Sequence, residues 1–118
     1  MWLATKLGFY SIVHKPSHLD DFETPVFHIR ARDKADLERL TKKYPTQILE
    51  FAHSDYPYRI IVPNAHILGE IMTYLGESID YDNFKDEIER TSHQRAKLNS
   101  YKNLWRGLYD SHEKKRPK

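Results

Sequence analysis

A strand that turns directly into a helix, between Phe27 and Leu40, constrains the fold of this chain more than any other segment. Its first part alternates apolar and basic side chains, in the order Phe27, His28, Ile29, Arg30, Ala31 and Arg32. A period of two is typical of a strand that buries one face. Asp33 then stands where a helix N-cap is expected, and Pro45 ends the helical pattern that follows. The segment therefore predicts a strand with an outward-facing basic side, followed by an amphipathic helix.

The same pattern returns 31 positions further along the chain, between Tyr58 and Ile71. In this alignment Phe27 corresponds to Tyr58 and His28 to Arg59, and each copy is preceded by another strand-like run. The repeat predicts two ββα units in tandem, packed side by side. The alternative is coincidence, because any strand that leads into a capped helix has this pattern.

The remaining elements complete an α+β fold. Further strand-like runs cover residues 2–14, 47–53 and 56–62, and Gly8 marks a bulge or a bend in the first. A helical pattern begins at Asn64, and Gly76 is predicted to follow its C-terminal end. Further helical patterns run from about residue 83 to 90 and over 94–112. The predicted order is ββαββαα, an antiparallel four-stranded sheet with helices on one face. Spacings of three and four predict the inner face of the last helix, formed by Leu98, Tyr101, Leu104, Trp105 and Leu108.

Length and composition restrict the class of protein. A single domain over residues 1–112 is predicted, followed by a basic flexible tail at 113–118. The chain has no cysteine, which excludes disulfides, thiolate metal sites and a cysteine nucleophile. No apolar run approaches the length of a membrane span, and a cytoplasmic protein is expected. The formal charge is +2, but residues 114–118 carry four positive charges, so the body is not basic. Such a body argues against tight nonspecific binding to nucleic acid.

Three segments carry a resemblance to known sequences. They are MWLATKLGFYSIV at the start, SDYPYRIIVP in the middle, and IDYDNFK, which leads toward a helix with Tyr101 and Trp105. Together they resemble a family of small uncharacterised bacterial proteins of about this length, over nearly the whole chain. No reaction, ligand or partner is assigned to that family. The resemblance therefore implies a stand-alone bacterial domain, and it carries over no catalytic residue.

The basic face of the strand at residues 27–31 is the first candidate site. Its candidate residues are His28, Arg30, Arg32, Tyr58 and Arg59, and Tyr10 and His14 are expected to share the face. Aromatic and basic side chains interleaved on an open sheet can stack bases and contact phosphates, which predicts a site for RNA, DNA or another anion. The alternative is a solvated face with cross-strand pairs, for instance to Glu50.

Two loop segments form a secondary candidate. Each combines a carboxylate, a tyrosine and a cation near a loop junction, and the residues are Asp55, Tyr56, Asp80, Tyr81 and Lys85. Loops held by a rigid scaffold are common binding sites. The same residues equally well brace a structure, with the acids capping turns and helices and the rings in the core.

Catalytic and metal chemistry have weaker support. The nearest pair of the seven histidines, His14 and His18, crosses a proline-containing loop, so no metal site is expected. The sequence contains no motif for a nucleotide or other cofactor. A metal-independent ribonuclease needs a general acid, a general base and cations, and His28, His53 and the arginines are residues of these types. A non-enzymatic binding module is the favoured interpretation. The alternatives are this ribonuclease and a homodimer or protein-interaction module that uses the last helix.

Overall fold

The computed structural model of the chain describes residues 1–17 and 24–115. His18, part of the segment between the first two predicted strands, and the end of the predicted basic tail lie outside these residues. The chain forms two compact units, the first spanning Met1–Asp80 and the second beginning at Tyr81. The sequence predicts one domain for residues 1–112, and the structure divides them between these two units. Each unit is described by itself.

The first unit contains an antiparallel sheet and two helices. Its strands are β1 (Trp2–Ala4), β2 (Phe9–Pro16), β3 (Pro25–Ala31), β4 (Leu49–Glu50) and β5 (Tyr58–Val62), in the spatial order β1-β2-β3-β5-β4. Its helices are α1 (Lys34–Thr41) and α2 (Ala65–Glu77). The second unit contains α3 (Phe84–Arg90) and α4 (Leu98–Lys115), with a short 3₁₀ turn at Arg95–Lys97 between them. The α+β class and the antiparallel sheet are confirmed.

The sheet has five strands where four were predicted, because the first predicted strand folds back on itself. Its two halves, β1 and β2, pair with Trp2 opposite Ser11. The Thr5 amide donates to the Gly8 carbonyl at 3.0 Å, and the Gly8 amide donates to the Thr5 hydroxyl at 3.1 Å. These bonds close a tight turn. Gly8 therefore ends a turn between two strands, consistent with the predicted bend.

Gly8 lies directly against a buried carboxylate. A Cβ atom placed on Gly8 would lie 2.5 Å from Asp36 Cγ, and Gly8 does not have a positive φ. Asp36 is 1% exposed; it accepts a bond from the Phe9 amide at 3.2 Å and pairs with Arg39 at 2.9 Å. Arg39 also donates to the Leu7 carbonyl at 2.9 Å. The glycine is needed for close packing between this turn and α1.

The hydrophobic core lies between one face of the sheet and the two helices. The sheet contributes alternate residues of β2, β3 and β5, and the helices contribute residues at helical spacing: Tyr10, Ile12, Ile29, Ala31, Ile60, Val62, Leu37, Leu40, Ile71 and Leu75. Asn64 caps α2 as predicted, since its side-chain oxygen accepts the Ile67 amide at 2.9 Å. Gly76 lies within α2, which ends at Glu77, so its predicted role after the helix end is wrong. Ile29 and Ala31 thus belong to the apolar face that the sequence predicts for β3.

The pairing of β3 with β5 agrees with the 31-residue repeat. The two strands run antiparallel with Ile29 opposite Ile60, two residues that the repeat makes equivalent. A local two-fold axis through this pair relates Phe27 to Tyr58 and His28 to Arg59. Each half contributes a strand pair and the helix that follows it, as two ββα units in tandem require.

The second unit departs from the prediction along its last helix. Asn83 caps α3 by accepting the Asp86 amide at 3.0 Å, and Phe84 packs edge-on against the buried Tyr101, with ring centroids 5.0 Å apart. The predicted inner face ends there, because Leu104, Trp105 and Leu108 are 38%, 49% and 65% exposed. Their predicted burial is wrong. The helix also continues to Lys115, into the segment predicted as a flexible tail.

Candidate functional site

The basic side chains of β3 and β5 lie on the sheet face opposite α1 and α2. In the sheet register Ser11 is opposite Arg30 and Arg30 is opposite Arg59, while His28 is opposite Ile61. These residues alternate with the core residues, so they point away from the helices. The predicted division of β3 into an apolar and a basic face is therefore correct.

This basic face is partly covered by the loop at residues 51–57, which follows β4. Tyr56 is 9% exposed, and its ring lies 4.8 Å from the guanidinium of Arg30 and 5.2 Å from that of Arg32. Phe51, from the same loop, lies 4.5 Å from the guanidinium of Arg59. Residues 51–53 were predicted as strand. Because β4 stops at Glu50, they instead extend the loop over the basic face.

The depth of the basic residues differs from the expectation of an open surface. His28 is 2% exposed and Arg59 is 8% exposed, Arg30 is half-buried, and Arg32 is exposed. The Arg30 side chain donates to the Ser11 hydroxyl at 2.7 Å. The sequence places these side chains on the outward face of the sheet and leaves their exposure to solvent open. The loop and the neighbouring strands enclose His28 and Arg59.

His28 connects the backbone of β2 to Arg59. Its Nε2 lies 3.2 Å from the Lys15 carbonyl oxygen, and its Nδ1 lies 3.4 Å from an Arg59 guanidinium nitrogen. A carbonyl only accepts and a guanidinium only donates, so this network places the proton on Nε2 and leaves Nδ1 as the acceptor. Burial, together with nearby Arg59 and Lys15, lowers the pKa of His28. His28 is therefore held as a neutral imidazole that orients Arg59.

Three cationic side chains, those of Lys15, Arg30 and Arg59, lie close together near His28. Burial lowers the pKa of Arg59, and repulsion from Arg30 lowers it further. Burial also lowers the pKa of Lys15, with repulsion from Arg59 and Arg30 in the same direction. Among the described residues no carboxylate forms an ion pair with any of the three. The predicted compensating partner Glu50 is exposed and lies opposite Tyr58, so within the described residues the positive charge of the cluster is uncompensated.

A pocket of about 230 Å³ opens beside this cluster. Its polar lining includes Lys15, His28 and Arg59, with hydroxyls from two serines, and its apolar lining is Leu49, Phe51 and Ile61. The Nε–H groups of Arg30 and Arg59 are buried and have no hydrogen-bond acceptor within the described part of the chain. Buried donors are normally satisfied, so the unused donor of Arg59, a residue that lines this cationic pocket, favours an anion as its ligand.

Three aromatic or histidine candidates lie away from this pocket. Tyr58 is opposite Ala31 on the core face and packs against the core, so it does not join the arginines. Tyr10 is fully buried on that same face, where its hydroxyl donates to the Asp36 carbonyl at 2.7 Å. His14 stacks on Phe27, with ring centroids 4.5 Å apart. The expectation that Tyr10, His14 and Tyr58 share the basic face is wrong, because each is out of phase with His28 and Arg30.

The two secondary loop segments behave differently from each other. Tyr56 joins the basic face through its contacts with the arginines, and Asp55 beside it is exposed. Asp80 pairs with Lys6 at 2.7 Å, within the first unit. In the second unit Tyr81 packs edge-on against Phe84, and Lys85 lies 4.8 Å from the Trp105 ring. These contacts match the alternative interpretation of the second segment as a structural brace.

Six of the eight described residues that line the pocket were not among the sequence candidates, and Lys15 and Phe51 are the two that matter most for its charge and its apolar wall. The first predicted strand ends at residue 14, before Lys15, but β2 continues to Pro16 and places Lys15 beside His28. The alternation of Ser11, Val13 and Lys15, carried two residues further, contains the signal for this position. Phe51 was assigned to a strand, and no local pattern shows that the strand ends before it.

Exposed apolar side chains remain on α4. Leu104, Trp105, Leu108 and Tyr109 are all more than a third exposed, and Trp105 stacks on Tyr109 with centroids 5.3 Å apart. The homodimer or protein-interaction alternative stays a hypothesis, with these four side chains as its candidate surface.

The lowered pKa of His28 predicts a pH dependence of stability. The unfolded chain binds a proton below about pH 6.5, the ordinary histidine pKa, while folded His28 resists protonation. The free energy of unfolding should therefore fall below this pH, by up to about 1.4 kcal/mol per unit for this group. Denaturant titrations of wild type and His28→Gln between pH 7.5 and 5 should show a shallower decline in the variant. His53→Gln, at an exposed position, should decline like wild type, and equal slopes in all three proteins would contradict the prediction.

Comparison with protein-family models, curated proteins and solved structures found no match for this chain. No helix of the described residues is long and apolar enough to cross a membrane. Within the same residues no group of three histidines and carboxylates is arranged to hold a metal ion. The assignment of a site rests on the geometry of the basic pocket.

Proposed function

We propose that this protein is a cytoplasmic, non-enzymatic binding module that takes up an anionic ligand in the pocket formed by Lys15, His28 and Arg59. The observation that carries the proposal is the uncompensated cation cluster, in which Arg59 is 8% exposed and has no carboxylate partner among the described residues. Burying an unpaired charge destabilises a fold. Natural proteins retain such arrangements mainly where function requires them.

The state of His28 supports binding over catalysis. Metal-independent cleavage of RNA needs a general base and a general acid with free access to the reacting atoms. Both ring nitrogens of His28 are engaged, the ring is 2% exposed, and its lowered pKa disfavours the protonated form. His53, the other histidine suggested for this role, is exposed and does not line the pocket. His28 is better suited to position Arg59 than to transfer protons.

The aromatic rings support a compact anion over a long strand stacked across the sheet. Tyr56 is buried, and the guanidinium groups of Arg30 and Arg32 lie against its ring, so little of that ring is open to a base. Phe51 is 40% exposed, and among the described lining residues it is the ring that is open to solvent, since His28 is buried. RNA or DNA remains a ligand class within the proposal, through a phosphate that enters the pocket.

Thermal unfolding in increasing phosphate, with chloride adjusted to constant ionic strength, tests the proposal. A ligand at 100 times its Kd stabilises the folded state by about 2.7 kcal/mol, so the wild-type melting temperature should rise with the logarithm of the phosphate concentration once that concentration exceeds Kd. Lys15→Gln should need about tenfold or more phosphate for the same rise in melting temperature, as expected for a lost charged hydrogen bond.

The control separates binding from the general stabilising effect of phosphate, which needs no site. Lys42 is exposed at the end of α1, and α1 packs on the opposite face of the sheet. Lys42→Gln should therefore respond to phosphate like wild type. Identical responses in wild type, Lys15→Gln and Lys42→Gln would rule out the pocket as an anion site.

A further inference from the structure

The size of the pocket limits what it can hold. Its volume is about 230 Å³, below the range of roughly 300–1,000 Å³ that is usual for pockets enclosing a whole small molecule. A single compact group fits such a space, while the rest of a larger ligand stays outside. The ligand therefore enters by one end.

The charges around the pocket favour a doubly charged group. Lys15 and Arg59 line the pocket, and Arg30 is near enough to lower the pKa of both. A phosphomonoester carries about −1.5 to −2 charges at pH 7, whereas a phosphate within a nucleic-acid backbone carries one. A guanidinium presents its donors in a planar fork that matches phosphate oxygens. A terminal phosphate thus matches both the charge and the donor set better than an internal one.

The apolar side of the pocket contacts what is attached to the phosphate. Phe51 contributes to the wall and is 40% exposed, and Leu49 and Ile61 lie beside it. An exposed ring at the mouth of a phosphate pocket stacks on a base or another flat group without selecting its sequence.

We infer that the pocket binds the terminal phosphate of a phosphomonoester, carried either by a free nucleotide or by the 5′ end of a nucleic-acid strand. This inference rests on the proposed function and specifies its ligand. A phosphodiester within a strand continues in two directions, and a pocket of this size admits only one chain end. His28 accepts a guanidinium N–H through Nδ1 and so holds Arg59 in place for the incoming phosphate.

The test compares two single-stranded ten-nucleotide DNAs of the same sequence, labelled at the 3′ end, one with a 5′-phosphate and one with a 5′-hydroxyl. Fluorescence anisotropy at constant ionic strength should show at least tenfold tighter binding of the phosphorylated strand. Unlabelled nucleoside 5′-monophosphate should displace it, and a dinucleoside monophosphate, which has only a phosphodiester, should not. Lys15→Gln should lose the preference, and Lys42→Gln should keep it.

The outcomes separate the inference from the function beneath it. Equal affinity for the two strands, combined with Lys15-dependent stabilisation by inorganic phosphate, would overturn the inference and leave the anion site standing. Absence of both effects would overturn both. If the inference holds, the source of the ligand follows from a comparison of affinities. A nucleoside monophosphate that binds as tightly as the strand identifies a free nucleotide, and a strand that binds at least tenfold tighter identifies a nucleic-acid end.

Discussion

Replacing Gly8 by alanine should destabilise the protein by about 2–4 kcal/mol, a large effect for the addition of one methyl group. The new Cβ would lie 2.5 Å from both Cβ and Cγ of Asp36, much closer than van der Waals contact allows. Asp36 cannot move away without loosening its bonds to the Phe9 amide and Arg39. Overpacking costs about 1–3 kcal/mol, and disturbing a buried charge pair adds to that. Urea denaturation of the purified variant measures the loss.

Gly69 offers the matched control for this prediction. It is exposed in the middle of α2, and a Cβ there would meet nothing within 4 Å. Gly69→Ala should therefore stabilise the protein, by up to about 1 kcal/mol, through helix propensity alone. Adding Gly8→Ala to an Asp36→Gly background should cost much less than in wild type, because the overlapping atoms are gone. An undiminished cost in that background would place the origin of the effect elsewhere.

Replacing Arg59 by methionine should increase stability, in contrast to Gly8→Ala, while it weakens anion binding. The substitution keeps an apolar stem against Phe51 and removes a buried cation that repels Arg30 and Lys15. It also gives up the 3.4 Å contact with His28 and the cation–π contact. We expect a net gain of about 0.5–2 kcal/mol in chloride, the range of typical stabilising substitutions. The variant should need about tenfold to a hundredfold more phosphate than wild type for the same stabilisation.

The same substitution at Arg39 tests why removing Arg59 is expected to stabilise the protein. Arg39 pairs with the buried Asp36, so Arg39→Met leaves a carboxylate without its cation and should cost about 2 kcal/mol or more. Chemical denaturation of the two variants in chloride should thus give shifts of opposite sign. If Arg59→Met destabilises as strongly as Arg39→Met, Arg59 is a structural residue and the anion site loses its main support.

Local patterns in the sequence predict the elements of the first unit well. The alternation around Ile29 and the capping residue Asn64 act over a few residues, and both appear in the structure as expected. The division of the first strand was missed, because the four-residue turn that ends at Gly8 is short and lies between two apolar runs, so the whole segment resembles one bent strand. The role of Asp36 was missed for another reason. Its partner Phe9 is 27 residues away, and no local pattern encodes that contact.

The candidate site was predicted in outline. His28, Arg30 and Arg59 could be identified because they share one phase of the two-residue period. The same rule excludes Tyr58, which is adjacent to Arg59 and therefore points to the other face. Burial of the site could not be predicted, since it depends on how the loop at 51–57 folds over the sheet. The charge imbalance likewise becomes visible only when the neighbours of Lys15 are known.

The local two-fold axis between β3 and β5 has a consequence for the chemistry at the centre of the sheet. Residues close to such an axis lie beside their own counterparts, as they do in a symmetric dimer. Two arginines at this point would repel, and two neutral histidines would provide no cation. Because both halves belong to one polypeptide, one half has His28 at this position and the other has Arg59. A hydrogen-bond acceptor therefore meets a donor, whereas strict symmetry would bring two identical side chains together. Covalent fusion of the halves thus permits a heterotypic centre that a homodimer of ββα units could not encode.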